Sequence, residues 1–295
     1  MTETMRAAWT PPEAHERRPA PKPPERPGPG LDRSDIPAPL PGRPLWVIFG
    51  TLLMIAGLGW GTFNVIDLLA HGQTHRLEVL AAVGIETIQV DNASGFVEIV
   101  GTDTDEIRID AQISTGLRRT GYGWVVEGST LRVHGTCPII GSQWCWVKYT
   151  ITVPSNVDVV VNNDDSRVTV SNIDGNVEVD ADNGRVVLAG VSGTVVVSSD
   201  NGRVEGSGLS GPSADVSSDN GRVELSFTAA PERVNASSDN GSIDIALPDV
   251  EEGYNVDMNT DNGSEDLIGV ANDPTSGRTV IARSDNGSIT IRAAG

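Results

Sequence analysis

From residue 159 to the C-terminus, apolar and polar side chains alternate in short runs that flank a recurring Asp-Asn-Gly or a close variant of it. Aligned on the aspartate, the residues five and three positions earlier are Val, Ala or Met, and those four and six positions later are nearly all Val, Leu or Ile. Alternation with a period of two is typical of strands that bury one face. Each unit is therefore predicted to be a strand, a turn and a second strand.

The turn aspartates recur at intervals of 18, 18, 19, 20, 22 and 24 residues, which lengthen toward the C-terminus. They are Asp164, Asp182, Asp200, Asp219, Asp239, Asp261 and Asp285. Asn and Gly tolerate positive φ, and an Asp side chain can accept hydrogen bonds from nearby backbone N–H groups, so this chemistry suits a turn. A repeat of about 20 residues is typical of stacked repeat architectures.

Two architectures satisfy the repeat. Asn-Gly favours two-residue hairpins, so an antiparallel meander or a sandwich is one alternative. In the other, a parallel β-helix, each turn of chain stacks about 4.8 Å from the last, and the Val columns fill a narrow interior. A meander of this length would need a second layer, so we predict an all-β domain: a parallel β-helix with coils of 18–24 residues.

One residue departs from the pattern. Glu265 occupies a column that otherwise holds Val or Ile, and burying an unpaired carboxylate is costly. Either the chain bulges there and turns Glu265 outward, or Glu265 is a functional irregularity. The longer neighbouring spacings favour the bulge, which we predict. Earlier in the chain, strands are predicted around Ile107, Leu131 and Ile151, with an irregular Trp-rich insertion at 112–147. Its Trp124, Trp144 and Trp146 could form an exposed binding patch, but we predict that they cap the open end of the core.

A membrane span is predicted before the repeats. Residues 45–66 contain no charged side chain, and about 20 apolar residues cross a bilayer core. A cleaved signal peptide is the alternative, but its apolar region is usually about 7–15 residues long and lies nearer the N-terminus. We assign 45–69 to a transmembrane helix, in which Gly57 and Gly61 have the G-x-x-x-G spacing of a weak helix homodimer.

The segment before the span is rich in proline. Residues 1–44 contain 12 of the 18 prolines and are predicted to be a disordered tail. They also carry seven Lys and Arg, whereas the twenty residues after the span carry only Arg76. The positive-inside rule therefore predicts a single-pass protein of the cell membrane, with a cytoplasmic N-terminus. Residues 70–84 are predicted to be a juxtamembrane linker and 85–295 the extracytoplasmic domain.

Charge and cysteine content limit the partners. Residues 71–295 hold 14 basic and 33 acidic side chains, which argues against nucleic acid because phosphates need basic surface. Cys137 and Cys145 are predicted to form a disulfide outside the cell. A zinc site would need more ligands than the nearby His134, and a redox-active pair would have C-x-x-C spacing.

The acidic turns raise the question of a cation site. In the first four units a basic residue follows three positions after the aspartate, and these residues are expected to compensate the acidic column: Arg167, Arg185, Arg203 and Arg222. The last three units have serine there. We expect either a solvated acidic edge or a weak divalent-cation site at Asp239, Asp261 and Asp285.

The run from Tyr149 to Asp158 (YTITVPSNVD), followed by repeated Asp-Asn-Gly-Arg-Val-Glu-Leu-like units, resembles the bacterial "putative adhesin" β-strand-repeat domains of unknown function. The resemblance covers roughly residues 80–295. It implies a β-helical ectodomain that is often attached to a membrane, and some relatives are linked to envelope stress responses. It brings no catalytic residues.

Three classes of function follow. The four histidines, His15, His71, His75 and His134, form no Ser-His-Asp or metalloprotease pattern, so we predict no enzyme and no cofactor. The preferred hypothesis is a binding or structural module of the cell envelope, adhesin-like, with an unknown envelope or protein ligand. The alternative is an envelope-stress sensor or signalling accessory that acts through the cytoplasmic tail.

Overall fold

The computed structural model describes residues 43–138 and 144–294, so nearly all of the predicted tail lies outside the described residues. Within those ranges the chain forms one helix, α1 (Arg43–Ala70), and 21 strands. The strands are β1 (Gly72–Ala81), β2 (Thr87–Asn92), β3 (Val97–Thr102), β4 (Glu106–Thr115), β5 (Gly121–Glu127), β6 (Thr130–Thr136), β7 (Trp146–Pro154), β8 (Asp158–Asp165), β9 (Val168–Ser171), β10 (Val177–Asn183), β11 (Val186–Ala189), β12 (Val195–Asn201), β13 (Val204–Leu209), β14 (Ser213–Ser218), β15 (Val223–Phe227), β16 (Arg233–Ser238), β17 (Ile243–Leu247), β18 (Asn255–Thr260), β19 (Glu265–Ile268), β20 (Thr279–Ser284) and β21 (Ile289–Ala293). All the strands lie in one compact unit, residues 57–295.

Helix α1 contains the predicted span. Its segment Trp46–Ala70 is long and apolar enough to cross a membrane, as judged by length and composition, and the most apolar stretch within it is not buried in the protein. Large apolar side chains such as Trp46, Leu52 and Leu69 are exposed. A signal sequence has the same properties, so the helix is a candidate anchor.

The strands form two sheets. Sheet 1 has the order β1-β4-β7-β3-β9-β11-β13-β15-β17-β21-β19, and sheet 2 has the order β18-β20-β16-β14-β12-β10-β8-β2-β6-β5. From β8 to β17 the chain alternates between the sheets, and each strand pairs in parallel with the strand one repeat away, as when Val177 lies opposite both Val159 and Val195. The predicted strand-turn-strand units and the mostly β fold are confirmed. The sheets are mixed, because β1, β4 and β5 pair in antiparallel fashion.

The core lies between the two sheets and consists of the predicted columns. Sheet 2 contributes the buried side chains of Val159, Val177 and Val195, and sheet 1 contributes those of Val168 and Val186. All belong to one continuous apolar cluster. In-register stacking of small, similar side chains suits the close packing of a narrow protein core.

Gly206 stands in one of these columns without a side chain. A Cβ added there would lie 2.8 Å from a methyl carbon of Leu209, which is buried. The register between β13 and β15 shifts between these two residues. Leu209 therefore fills the space that the glycine leaves in the core.

The last two units are not stacked in sequence order. Strand β20 pairs with both β16 and β18, so the unit of Asp285 lies between the units of Asp239 and Asp261. The sequential order that the repeat predicted is wrong at this point. The unit of Asp261 has the most polar strands, and the end of the stack leaves them exposed to water.

The predicted bulge at Glu265 is also wrong. Glu265 lies in regular register opposite Ile289, so it keeps its column. It is exposed because β19 ends sheet 1 and no further strand pairs with it. Its carboxylate Oε1 accepts a hydrogen bond from the backbone N–H of Thr260 at 2.9 Å. A polar end layer therefore removes the desolvation cost that the sequence pattern implied.

Residues 70–84, predicted to be a linker, contain strand β1. This strand pairs with β4 along its whole length and ends sheet 1. The strands predicted around Ile107, Leu131 and Ile151 are confirmed as β4, β6 and β7. Trp124, on β5 at the edge of sheet 2, packs against the core as predicted for a cap, whereas Trp144 and Trp146 do not belong to the core cluster of the described residues.

Candidate functional site

The turns between the two strands of the units lie one above another and form a corner along the stacked layers. The asparagines of these turns form a hydrogen-bonded ladder along this corner. Each asparagine Nδ2 donates to the Oδ1 of the asparagine in the next layer, at 2.9–3.2 Å. The ladder runs from Asn262 through Asn286, Asn240, Asn220 and Asn201 to Asn183, which donates to Asp165 at 3.3 Å. An amide both donates and accepts, so identical residues can bond to one another from layer to layer.

The turn aspartates do not make the hydrogen bonds that the sequence suggested. Among the described residues, the carboxylates of the seven turn aspartates accept no hydrogen bond from the backbone, so the backbone hydrogen bonds expected from the turn chemistry are not formed. Partial burial, and then the charges of Asp182 and Asp165, raise the pKa of Asp164. Aspartate charges thus repel one another at the first of these turns, and the asparagine that follows six of the seven turn aspartates supplies the bonding between layers.

Glycine is required at these turns because the backbone of the adjacent layer lies too close to leave room for a side chain. The sequence had instead suggested positive φ as the reason. Only Gly184 of the six turn glycines has φ in the positive region. A Cβ at Gly221 would lie 1.7 Å from the carbonyl oxygen of Gly202, and one at Gly241 would lie 1.9 Å from that of Gly221. The same carbonyls accept hydrogen bonds from the buried hydroxyls of Ser218, at 3.2 Å, and Ser238, at 2.9 Å.

The arginine column does not compensate the aspartates as predicted. Arg185 and Arg203 both bond to Glu205, the latter from Nη1 to Oε1 at 3.3 Å. Arg222 bonds to Glu224 at 3.2 Å. Arg203 and Arg222 directly precede β13 and β15. Each glutamate lies two residues later in extended chain, so its side chain projects on the same side as that of the arginine.

Glu205 is a site where stability should depend on pH. Burial raises its pKa, but hydrogen bonds from Arg185 and Arg203 outweigh burial and hold the pKa of Glu205 below its usual value. Such a carboxylate stabilises the folded protein above the unfolded pKa, and this contribution is lost as the pH falls through the folded pKa. We therefore expect the stability difference between wild type and Glu205→Gln to shrink as the pH falls below the ordinary glutamate pKa of about 4.3.

Urea unfolding at several pH values measures this difference. Glu178→Gln is the matched control, because Glu178 is exposed on sheet 2 and makes no ion pair with any described residue. A wild-type advantage over Glu205→Gln that stays constant down to pH 3 would contradict the assignment.

No described residues form a metal centre: no group of three or more His, Cys, Asp or Glu side chains in the described ranges is placed to hold an ion. This geometry gives no support to the hypothesis of a cation site at Asp239, Asp261 and Asp285. The three aspartates lie in successive layers of one column, but they do not form a group placed to hold an ion.

The cysteines and histidines lie near the N-terminal end of the stack. Cys137 and Cys145 are joined by a disulfide, with Cα atoms 5.7 Å apart. His71 packs against Trp144 with ring centroids 5.0 Å apart, and His75 Nε2 lies 2.6 Å from Asp110 Oδ1. The histidines of the described ranges thus sit in separate surroundings, and His15 lies outside the described residues.

A groove on the outer face of sheet 1 combines an aromatic ring with two cations. Phe96 is 49% exposed. It lies between Lys148, on β7, and Arg167, directly before β9, because its carbonyl accepts from Tyr149 N–H while Val97 N–H donates to the Arg167 carbonyl. The groove has a volume of about 340 Å³ and is also lined by Glu98. Neither Lys148 nor Arg167 forms an ion pair within the described ranges. The sequence carried a signal for this groove, because Phe96 and Arg167 both directly precede the first valine of a sheet 1 strand.

Comparison with known proteins assigns no family. No protein-family model matches the chain, and no curated protein matches it. A "putative cell adhesion protein" from Clostridium sporogenes is 11% identical, with a TM-score of 0.38, over 76% of this chain and 100% of that one. A "putative adhesin" from Bacteroides fragilis is 18% identical, with a TM-score of 0.47, over 75% and 97%. A "putative lipid binding protein" from Parabacteroides distasonis is 11% identical, with a TM-score of 0.26, over 75% and 97%. Adhesin is also the name of the family that the sequence resembles.

Proposed function

We propose that this chain is a non-enzymatic, single-pass membrane protein that presents an acidic parallel β-helix outside the cell membrane as a binding or structural module of the envelope. The observation that carries the proposal is the in-register parallel pairing from β8 to β17 in both sheets. A chain that alternates between two parallel sheets at a fixed repeat winds as a solenoid, which is stiff along its axis and exposes long, regular outer faces.

Membrane attachment rests on helix α1. Its apolar side chains are exposed, and a bilayer is the environment in which such a surface is stable. The charge asymmetry around the span favours a cytoplasmic N-terminus. The Cys137–Cys145 disulfide fits an oxidising compartment outside the cell.

The binding surface in this proposal is the groove around Phe96, and its ligand is an acidic polysaccharide. The apolar face of a sugar ring packs on an exposed aromatic ring. Lys148 and Arg167 on either side donate charge-assisted hydrogen bonds to carboxylate or sulfate groups. Because the rest of the domain is strongly acidic, the two cations also select where on the surface an anion can approach.

The test uses the full chain in detergent and polygalacturonate as the probe, with neutral dextran as the comparison polymer, at about 0.15 M salt, where long-range repulsion is screened. We expect polygalacturonate alone to bind, and Phe96→Ala and Arg167→Gln each to weaken that binding about tenfold. Arg233→Gln is the matched control, since Arg233 is an exposed arginine on sheet 2. Equal binding of both polymers, or unchanged binding by Phe96→Ala, would contradict the groove assignment.

One observation favours a sensor as the second candidate. Asp67, in the last turn of α1, is almost fully buried, and its Oδ1 accepts a hydrogen bond from Leu117 N–H at 2.6 Å. This contact ties the end of the helix to the β4–β5 connection, so strain in the domain can reach the helix. Deleting residues 1–42 separates the candidates: a binding module keeps its ligand binding and its phenotype, whereas a sensor keeps binding and loses its response.

A further inference from the structure

Strand β1 leaves one edge of sheet 1 open. It pairs with β4 on one side, and no described strand pairs with its other side. Nine of its ten residues are exposed, including Leu77 at 53% and Val79 at 45%. A long edge strand with unpaired N–H and C=O groups, free of proline and bulges, is a template for another strand.

The charges on β1 decide which strand it can accept. Pairing with β4 places Arg76 opposite Ala111 and Glu78 opposite Ile109, so both charged side chains project on the face of sheet 1 that carries the core. Charges at such positions normally discourage edge pairing. Here they are opposite in sign and two residues apart, so a strand with the same two charges in reverse order is not repelled.

A second copy of β1, running antiparallel, meets that condition in one register. Backbone N–H and C=O groups alternate in direction along a strand, so two identical strands can pair only when centred on a residue. Centring on Arg76 sets two arginines opposite each other, and centring on Glu78 sets two glutamates opposite each other. Centring on Leu77 sets each Arg76 opposite the partner subunit's Glu78. Registers centred further out shorten the overlap.

We propose that two copies of this chain pair through the open edges of β1, antiparallel and centred on Leu77, so that the two copies of sheet 1 become one continuous sheet. The edge suits a second acidic copy because Arg76 and Glu78 leave β1 with no net formal charge. In this arrangement the Gly72 ends lie roughly 30 Å apart. The dimer is therefore distinct from one in which the helices pack through Gly57 and Gly61.

Cysteine cross-linking of the full chain in membranes tests the register. The protein has no free cysteine in its described ranges, so an introduced thiol is the reactive one. Leu77→Cys should oxidise to a covalent dimer, because directly opposite Cβ atoms are about 5 Å apart. Val79→Cys should not, because its two copies lie about 13 Å apart. Coexpressed His75→Cys and Val79→Cys chains should cross-link to each other.

Charge exchange tests the recognition. Arg76→Glu should weaken the dimer by more than about tenfold, since each new glutamate faces the partner subunit's Glu78. Arg76→Glu combined with Glu78→Arg should restore it, because the pairs then re-form with their signs exchanged. A structural defect in β1 would not be rescued in this way. Phe96→Ala, in the proposed ligand groove, should leave cross-linking unchanged.

Three results would overturn the proposal. The first is equal cross-linking of Leu77→Cys and Val79→Cys. The second is a dimer that the charge exchange does not restore but that Gly57→Leu abolishes, which would place the interface in the helices. The third is a cross-link from Leu77→Cys to a different protein, which would make β1 the docking strand of another partner.

Discussion

Val179→Asp is expected to unfold the layers around it and to lower the free energy of unfolding by more than about 4 kcal/mol. Val179 is 1% exposed and lies in register between Val161 and Val197. A carboxylate at this position would be surrounded by valine methyl groups. It must therefore either stay buried without a partner or force the two sheets apart.

Thermal and urea unfolding followed by circular dichroism measures this effect. Glu178→Gln changes the neighbouring residue, which is exposed on the outer face of the same strand. It should change the free energy of unfolding by about 0.5 kcal/mol or less. Similar losses in the two variants would show that β10 does not bury one face, and the assignment of the core columns would fail.

Gly221→Ala is expected to cost about 3 kcal/mol, at the upper end of the range for overpacking. The added Cβ would lie 1.7 Å from the carbonyl oxygen of Gly202 in the adjacent layer. Backbone cannot rotate away as a flexible side chain would. Two layers must separate at the corner, which also stretches the hydrogen bonds of the asparagine ladder.

The matched control is Gly277→Ala. Nothing lies within 4 Å of a Cβ at Gly277, and its φ is not in the positive region. We expect this variant to stay within about 0.5 kcal/mol of wild type, on the stable side if the smaller unfolded-state entropy dominates. Comparable destabilisation by both alanines would mean that the turn glycines are needed for some reason other than close approach.

The core could be predicted from the sequence, but the order of the layers could not. Alternation with a period of two shows which residues are buried. Apolar side chains such as Val159 and Ile289 are stable only on the face that points into the core. The sequence pattern does not show which strands pair with each other, because Val280 can lie beside Val234 and beside Val256 alike. The choice depends on which layer best tolerates water at the end of the stack, and that depends on all the layers together.

The sequence analysis missed the asparagine ladder at the turns and the edge strand β1 for different reasons. Asp and Asn suit a turn equally well by local chemistry. They differ only when copies stack about 4.8 Å apart, where carboxylates repel and amides bond to each other. Strand β1 has mixed polar residues on both faces, so no alternation marks it as a strand. Its conformation comes from pairing with β4, which sequence periodicity does not record.

The exchanged order of the last two layers changes how the molecule can come apart. Chain ends are normally where fraying and exopeptidase attack begin. Here the C-terminal strands β20 and β21 lie between neighbours on both sides, and the outermost layer, β18 and β19, is an internal stretch of chain. The end of the polypeptide cannot peel away until that internal layer has been lifted off. We therefore expect unfolding from this end of the two sheets to begin with release of the internal β18–β19 layer, before the C-terminal strands can separate.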